Sequence, residues 1–584
     1  MSAFFWYDYL IFFIVLAISS CTGIYYGCFG TKQKTIKEYL LGGKNMATWP
    51  IGISVAVSHF SAITIMGAPS DIYKFGAYYT YSTIGMALLG LISIFVFFPV
   101  FFKLQVTTIY EYLEKRFDHK TKVFASFLFI VGEVVIVSVS IYAPSLALSA
   151  VTGIHVYYII ICVFGICIFY TTIGGLKTVV WTDIFQSGVI LLSMFIICVI
   201  GLNTTGNFST LWKTALDGGR LDILNFDVDP TLRDSFWTFV IGFTFHCTYY
   251  VSLSQSGVQK YLALATFRDC IWAVVFYVIT MEIVELFCVF LGLLAYGHYA
   301  NCDPFTTGKI QRHEQLLPYY VTEIAGHIPG VTGFTLVGLF CATMSTISSS
   351  LNAISGVVYK DCLSRFLKKD ITEKASGRIL RVIVVITGIL SMLLIFVLQH
   401  LGDILPVAVS GASIGSGPIL GVFFLGFLFP QANAKGAFYG AIVSFVFQTF
   451  VLIVSKMYRY KKIIVDVTLP FSVSGCWTNG SLASNSTLSN GFSSPNNVTI
   501  NSEFKPFFIF RLSHYYNCML GLIVTVIVGL IISYLTNKND PPVDKELISP
   551  VVRRFVKKDN KPEIDSRELK ALMTKEYNTQ GLEK

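Results

Sequence analysis

Residues 341–356 read CATMSTISSSLNAISG, which sets Ser345 and Thr346 side by side and adds Ser348, Ser349, Ser350 and Asn352. Hydroxyl oxygens in the middle of an apolar helix suit sodium, a hard cation that takes several oxygens. Small residues also allow close helix packing, but this run is denser in hydroxyls than packing requires. Segment 49–76, WPIGISVAVSHFSAITIMGAPSDIYKFG, has complementary chemistry. Gly52, Gly67 and Pro69 are breakers, and Ser58, Ser61 and Thr64 are hydroxyls. A helix interrupted near the membrane midplane frees carbonyls that can coordinate a cation. The alternative here too is a packing helix built from small residues.

Other polar groups stand inside apolar runs. Glu282 and Glu285 lie three apart, on one helix face, and Glu133 interrupts another run. Intramembrane carboxylates are costly and point to function. The competing reading, favoured by the ragged ends of the runs, puts them near a membrane surface. His59 and His246 could face one another and confer pH sensitivity; otherwise they are two separately packed rings. There is no catalytic triad, phosphate-binding loop or metal-ligand cluster, and the 13 cysteines form no CxxC pair. The chain is therefore expected to be neither an enzyme nor an ATP-driven pump.

The elements that must position these groups are set by composition. Of 584 residues, 54% are hydrophobic and 13% charged, against about 25% charged in soluble domains; mean hydropathy is +0.65. Only lipid can cover that much apolar surface. The net charge of +9 does not signal nucleic acid. Its basic residues lie beside apolar runs, as with Lys32, Lys34 and Lys37 or Arg365, Lys368 and Lys369. Asp8 precedes the first apolar run with no basic segment before it, which argues against a cleaved signal peptide.

A spanning helix needs about 20 apolar residues, and about thirteen runs qualify. They centre near Val15, Ala62, Leu89, Val134, Val163, Ser193, Thr244, Val278, Ala342, Gly388, Ile414, Ser444 and Val524. The chain is read as an all-α polytopic membrane protein. Basic loops after the first, third and ninth runs and the basic tail place those segments in the cytoplasm. The N-terminus is then extracellular and the C-terminus cytoplasmic. Sequons at Asn203 and Asn207, in segment 203–235, and at Asn479, Asn485 and Asn497, in segment 457–514, fall on the outer side as candidate glycosylation sites. Arg459, Lys461 and Lys462 dissent from this orientation. Cys302 and Cys476 face the oxidising side and are a disulfide candidate, the alternative being two free thiols. The tail, 538–584, is polar and without apolar period.

At this point a resemblance becomes legible. The stretches SAITIMGAPSDIYKFG (61–76), TTIYEYLEKRF (107–117), IYAPSLALSAVTG (141–153), TTIGGLKTVVWTDIFQ (171–186), GGRLDILNFDVDP (218–230), SFWTF (235–239), CDP (302–304) and STISSSLNA (345–353) resemble, in order, the sodium:solute symporter family, solute carrier family 5. The resemblance is greatest to the branch of iodide, monocarboxylate and multivitamin symporters. It implies a LeuT-like core of two inverted five-helix repeats, here 49–202 and 236–429, separated by the outer loop 203–235. One helix precedes the core, within 1–48, and two follow it, within 430–537. It also implies a sodium site formed by the carbonyls of Val57, Phe60 and Ala342 and the hydroxyls of Ser345 and Thr346. Asp183, in the WTD motif, would stand at its inner mouth, a role compatible with capping a helix that starts there. A second sodium would draw on Ser61, Thr64 and Tyr142. Substrate contacts would come from Thr64, Ser82, Met86, Tyr142, Cys247 and Tyr250.

The resemblance has departures. The iodide carrier has glutamine at Thr64 and Met86 and tryptophan at Cys247; His59 replaces a bulky apolar residue, and His246 has no counterpart. These argue against iodide. The expected function is sodium-coupled import of a small anionic solute, a monocarboxylate or a carboxylate vitamin such as biotin or pantothenate, by alternating access across the plasma membrane. Iodide, a neutral sugar or polyol, or a non-transporting sensor or channel remain as alternatives. Sodium serves as coupling ion and no cofactor is expected. The partners are the anionic solute, sodium and the bilayer, without nucleic acid, and a homodimer is left open.

Overall fold

A backbone in hydrocarbon must satisfy its own N–H and C=O groups, which a helix does within one segment. In the computed structural model, which describes residues 4–29, 35–366, 372–398, 404–476, 505–536 and 543–555, every regular element among the described residues is helical. Ends are set by familiar chemistry. Asp118 caps His119–Thr152 by accepting from the Thr121 N–H at 2.8 Å, and Gly153 (φ 73°) ends it in the left-handed region. Thr266 and Asp269 form a capping box that starts Phe267–Tyr299.

Among the described residues ten helices are long and apolar enough to cross a membrane, or eleven with the bent pair Thr48–His59 and Ala62–Phe75 as one span. Thirteen were expected, and the difference lies in two places. The runs around Val163 and Ser193 lie in one unbroken helical stretch, Val156–Thr205, made of two helices that meet at a kink, where the backbone leaves helical geometry at Gly175 (φ 55°, ψ −159°). At 1.5 Å per residue its 50 residues suffice for two crossings of a hydrocarbon core of about 30 Å. The run around Thr244 is a chain of short helical turns over 238–253. It stops at extended Ser254 and resumes as Gln255–Tyr261. The chain is thus broken in the first helix of each expected repeat.

Val331–Val357 is the central helix, buried along nearly its whole length. Thr48–His59, His119–Thr152 and Val156–Thr205 pack around it. Ala434–Tyr460 and Tyr516–Thr536 pack on each other, and both contact Ile404–Leu428. Leu390, Leu393 and Phe396 of Glu373–Leu398, with Phe450 and Ile453, are exposed apolar side chains for lipid.

Each end of the bundle has its own polar lattice. At one end Asp8 accepts from the Gly333 N–H at 3.0 Å. There also Arg233 pairs with Asp71 at 2.8 Å, and Cys302 is bonded to Cys476. The segment before Cys476 runs across this end: the Leu469 N–H donates to the Lys74 carbonyl at 2.8 Å, and Arg220 donates to the carbonyls of Tyr73 and Pro470. At the other end Lys122 bridges Glu114 and Asp361, and Lys103 pairs with Glu546.

Candidate cation and solute site

The break in the second span falls at Phe60 (φ −84°, ψ 80°) and Ser61, and the two halves bend by 63°. It is not at the expected breakers. Pro69 lies inside Ala62–Phe75. Gly52 serves a close crossing, where a Cβ would stand 2.5 Å from the Cβ of Phe276 and 2.6 Å from the Ala273 carbonyl. The donors tell what the break frees. In an unbroken helix Ser61 and Thr64 would donate to the carbonyls of Val57 and Phe60. Here the Ser61 N–H turns to His59 O at 3.1 Å and the Thr64 N–H to Ser61 O at 3.0 Å.

The hydroxyls of Val331–Val357 face this break in two rows. Thr346 Oγ1 lies 2.9 Å from the Ser58 carbonyl and 3.1 Å from that of Ala342. Ser345 donates to Asp183 Oδ1 at 2.7 Å, and Ser58 Oγ is 2.8 Å from Ser349 Oγ. Asp183 is fully buried and also receives the hydroxyl of Ser54. It caps no helix: Val156–Thr205 runs through it, eight positions beyond Gly175. Carbonyls, hydroxyls and a carboxylate form an all-oxygen set that fits a small hard cation.

Sequence reasoning missed Lys260. Its ammonium is 2.9 Å from Asp183 Oδ2, with side chains 1% and 0% exposed. It donates to the Ser54 carbonyl at 3.0 Å and to the Ser58 hydroxyl. The available signal was a lysine in the short apolar stretch VQKYLALA, where an ionisable group is costly.

Beside this cluster is a cavity of about 170 Å³. Of the residues expected to hold the solute or a second sodium, Ser61, Thr64, Cys247 and Tyr250 line it; Ser82, Met86 and Tyr142 do not. Met86 is packed in the core. Ser82 stands behind the wall, its hydroxyl bound to Glu285 and to the Tyr79 carbonyl. The carboxylates of Glu133 and Glu285 are not at a membrane surface: both line the cavity, 4% and 6% exposed. Ser254, Ser256 and Ser350 hold Glu133. Glu282, half-buried, instead accepts from Thr83 at 2.7 Å. His59 and His246 both line the cavity but pack on Tyr250, at 6.1 and 5.2 Å, rather than on each other. The Tyr79 and Tyr515 hydroxyls meet at 2.6 Å on its wall.

Asn203 and Asn207 are exposed, and Asn207 caps Phe208–Asp217. Asn479, Asn485 and Asn497 lie outside the described residues. The dissenting Arg459 is paired with Asp466 at 2.6 Å.

The model of the sodium:solute symporter family matches residues 39–444. Sodium-coupled monocarboxylate transporter 1 of Mus musculus is 34% identical over 548 residues, 93% of this chain and 89% of that protein. Sodium-coupled monocarboxylate transporter 2 of Danio rerio is 33% identical over 551 residues, 94% and 86% of the two chains. A putative sodium-dependent multivitamin transporter of Drosophila melanogaster is 31% identical over 536 residues, 91% and 86%. The fold is similar to that of a Na⁺-coupled sialic acid symporter in a substrate-bound outward-open state, with TM-score 0.72 and 24% identity over 93% of this chain and 99% of that one.

Proposed function

The chain belongs to the sodium:solute symporter family, and from that premise we propose that it imports a small organic carboxylate with sodium across the plasma membrane. It is a multi-pass sodium-coupled symporter rather than an enzyme. The observation that carries the proposal is the break at Phe60–Ser61, whose diverted donors leave the carbonyls of Val57 and Phe60 without their helical N–H partners, next to the Ser58 carbonyl that accepts from Thr346 of the hydroxyl-rich helix. Sodium would be held there by Val57, Phe60, Ala342, Ser345 and Thr346, with Asp183 behind them. Ser61 and Thr64, at the N-terminal end of Ala62–Phe75, line the cavity beside it. That positive helix end and the bound sodium both favour a carboxylate. The names of the relatives, monocarboxylate and multivitamin transporters, support the same solute class.

Transport then works by alternating exposure of the cavity. Sodium draws the two halves of the broken helix and Val331–Val357 together and completes the solute site. The Tyr79–Tyr515 pair closes one side, and the Lys260–Asp183 pair joins two helices at the cation cluster, with Lys260 donating to Ser54 and Ser58 of a third. The disulfide supports an extracellular assignment for its end of the bundle, because such bonds persist in oxidising compartments. Asp8 lies at that end through Gly333, which supports an extracellular N-terminus. Inward flux is driven by the sodium gradient and by membrane potential, worth about 2.3 kcal/mol per charge per 100 mV.

The test is a voltage-clamped cell expressing the chain and challenged with lactate, butyrate, nicotinate, biotin, pantothenate, iodide and glucose, with and without sodium. Sodium-dependent inward current or labelled uptake with carboxylates is expected. Sodium-dependent uptake of glucose or iodide alone would refute the carboxylate assignment.

A further inference from the structure

Asp183, buried among the central hydroxyls, has a counter-charge in Lys260 at 2.9 Å. Glu133 has none. It stands near the midpoint of His119–Thr152 and is buried, and among the described residues no cationic side chain acts on it. An ionised carboxylate is costly inside a membrane protein, and such a group is met by a counter-charge or takes up a proton.

What surrounds it is hydroxyl from two other parts of the chain. Ser254 and Ser256 lie 3.2 and 3.4 Å from Glu133 Oε1 and 2.7 Å from each other, and Ser350 of the central helix donates to Oε2. Ser254 is the extended residue at the second break, so one carboxylate ties that break to two long helices. These contacts are hydroxyls alone, without the backbone carbonyls that neighbour Thr346 at the first break. A single carboxylate among hydroxyls suits a proton rather than a sodium ion. Water also has a route to it. Ser256 and Ser350 line the same cavity as Glu133, and that cavity is open rather than enclosed.

The other titratable groups close to Glu133 are the phenols of Tyr110, Tyr249 and Tyr250. On the elements packed around its helix, Glu114 and Asp361 are taken by Lys122, and Arg116 by the carbonyls of Gly426 and Phe429. His59, His246 and Glu285 lie elsewhere on the cavity wall.

We propose that Glu133 is a proton-binding site, loaded from the cavity and coupled to the break at Ser254, so that the carrier moves a proton besides sodium and its solute. Ionised, the carboxylate accepts from all three serines through charge-assisted bonds, roughly twice as strong as neutral ones. A proton taken from water makes it a neutral carboxyl that donates one O–H. One serine must then turn from donor to acceptor, and the hold on the broken segment weakens. On the opposite side the proton returns to water and the bonds re-form. This goes beyond sodium symport and does not depend on which solute is carried.

The test reads the proton itself. Infrared difference spectra of the purified full chain in lipid, taken between acid and alkaline buffer, report the C=O stretch of a neutral carboxyl, which a carboxylate lacks. The wild type should lose such a band as the buffer turns alkaline; Glu133→Gln should remove that change and Glu285→Gln should leave it. Ser350→Ala, which keeps the carboxyl and deletes one hydrogen bond, should move the band without abolishing it. In vesicles holding the full chain, with sodium equal on both sides and the voltage held at zero, an outside-acid gradient should concentrate labelled lactate above protein-free vesicles. Glu133→Gln should lower the ratio of acid-driven to sodium-driven accumulation at least about threefold, out of the roughly tenfold that one pH unit can drive per proton. A wild type without a titrating carboxyl band, or a band untouched by Glu133→Gln, would overturn the proton site. Lactate concentrated by a sodium gradient and never by acid would overturn proton transport and leave sodium symport standing. Lactate moved by neither would refute the carboxylate reading, with the infrared band still deciding the site.

Discussion

Replacing Lys260 by methionine removes the ammonium while keeping most of the stem. In the native protein that ammonium stands 2.9 Å from Asp183 Oδ2, and neither side chain reaches solvent. At an effective dielectric of about 20, unit charges at that separation attract by roughly 6 kcal/mol, and desolvation of both groups offsets much of this. K260M leaves a buried carboxylate with only the hydroxyls of Ser54, Ser58 and Ser345. Stranding one charge of a buried pair costs about 3–5 kcal/mol, and K260M should be destabilised by that amount. D183N should lose a comparable amount by stranding the ammonium. The double variant K260M/D183N contains neither charge and should recover most of the loss. The assay is unfolding of the four purified proteins in detergent, read as a double-mutant cycle. A coupling of at least about 2 kcal/mol is expected; single losses that add within about 0.5 kcal/mol would refute the reasoning.

Ser345→Ala with Thr346→Ala removes two hydroxyls from the cation cluster and should raise the half-saturating sodium concentration at least tenfold, measured in sodium-titrated currents at matched surface expression. Tyr79→Phe breaks the hydroxyl pair with Tyr515, a loss of about 1 kcal/mol, and should speed escape of preloaded solute by up to about fivefold in a washout assay. Cys302→Ser with Cys476→Ser opens a bond between residues 174 positions apart and should cost about 2 kcal/mol; a reductant should reproduce that loss in the wild type and leave the double variant unchanged.

Much of the fold was legible because hydropathy reports what lipid requires: most of the long apolar runs have their own helix, the run around Thr244 and the joined pair around Val163 and Ser193 being the exceptions. The breaks were harder to place. Pro69 looked like the interruption, yet a proline can stay in a membrane helix whose neighbours re-satisfy the backbone, and the break fell at Phe60–Ser61, where no residue type announces it. Within the site, Ser345 and Thr346 stood out by residue type and Asp183 through the WTD motif of the resemblance, and the fold brings Ser345 and Asp183 into contact. Lys260 could not be read, since its partner Asp183 is 77 positions away and only the fold joins them. Tyr515 lies outside both expected repeats and reaches the cavity only because the last span packs against the seventh. Ser82 and Met86 were expected at the cavity, yet of their span only Tyr79 lines it, because which face meets the cavity depends on packing.

The bond between Cys302 and Cys476 also sets a clock. At a synthesis rate of about 5–20 residues per second, Cys302 waits roughly 9–35 s for a partner 174 positions downstream. During that interval the carbonyl of Lys74 and the guanidinium of Arg220 lack the strap residues Leu469 and Pro470 that they later engage. The strapped end of the broken helix is therefore finished last, after nearly all the spans have been made. A chain that stalls before residue 476 presents the quality-control machinery with an uncovered mouth and an unpaired thiol, two marks by which an incomplete carrier can be told from a finished one.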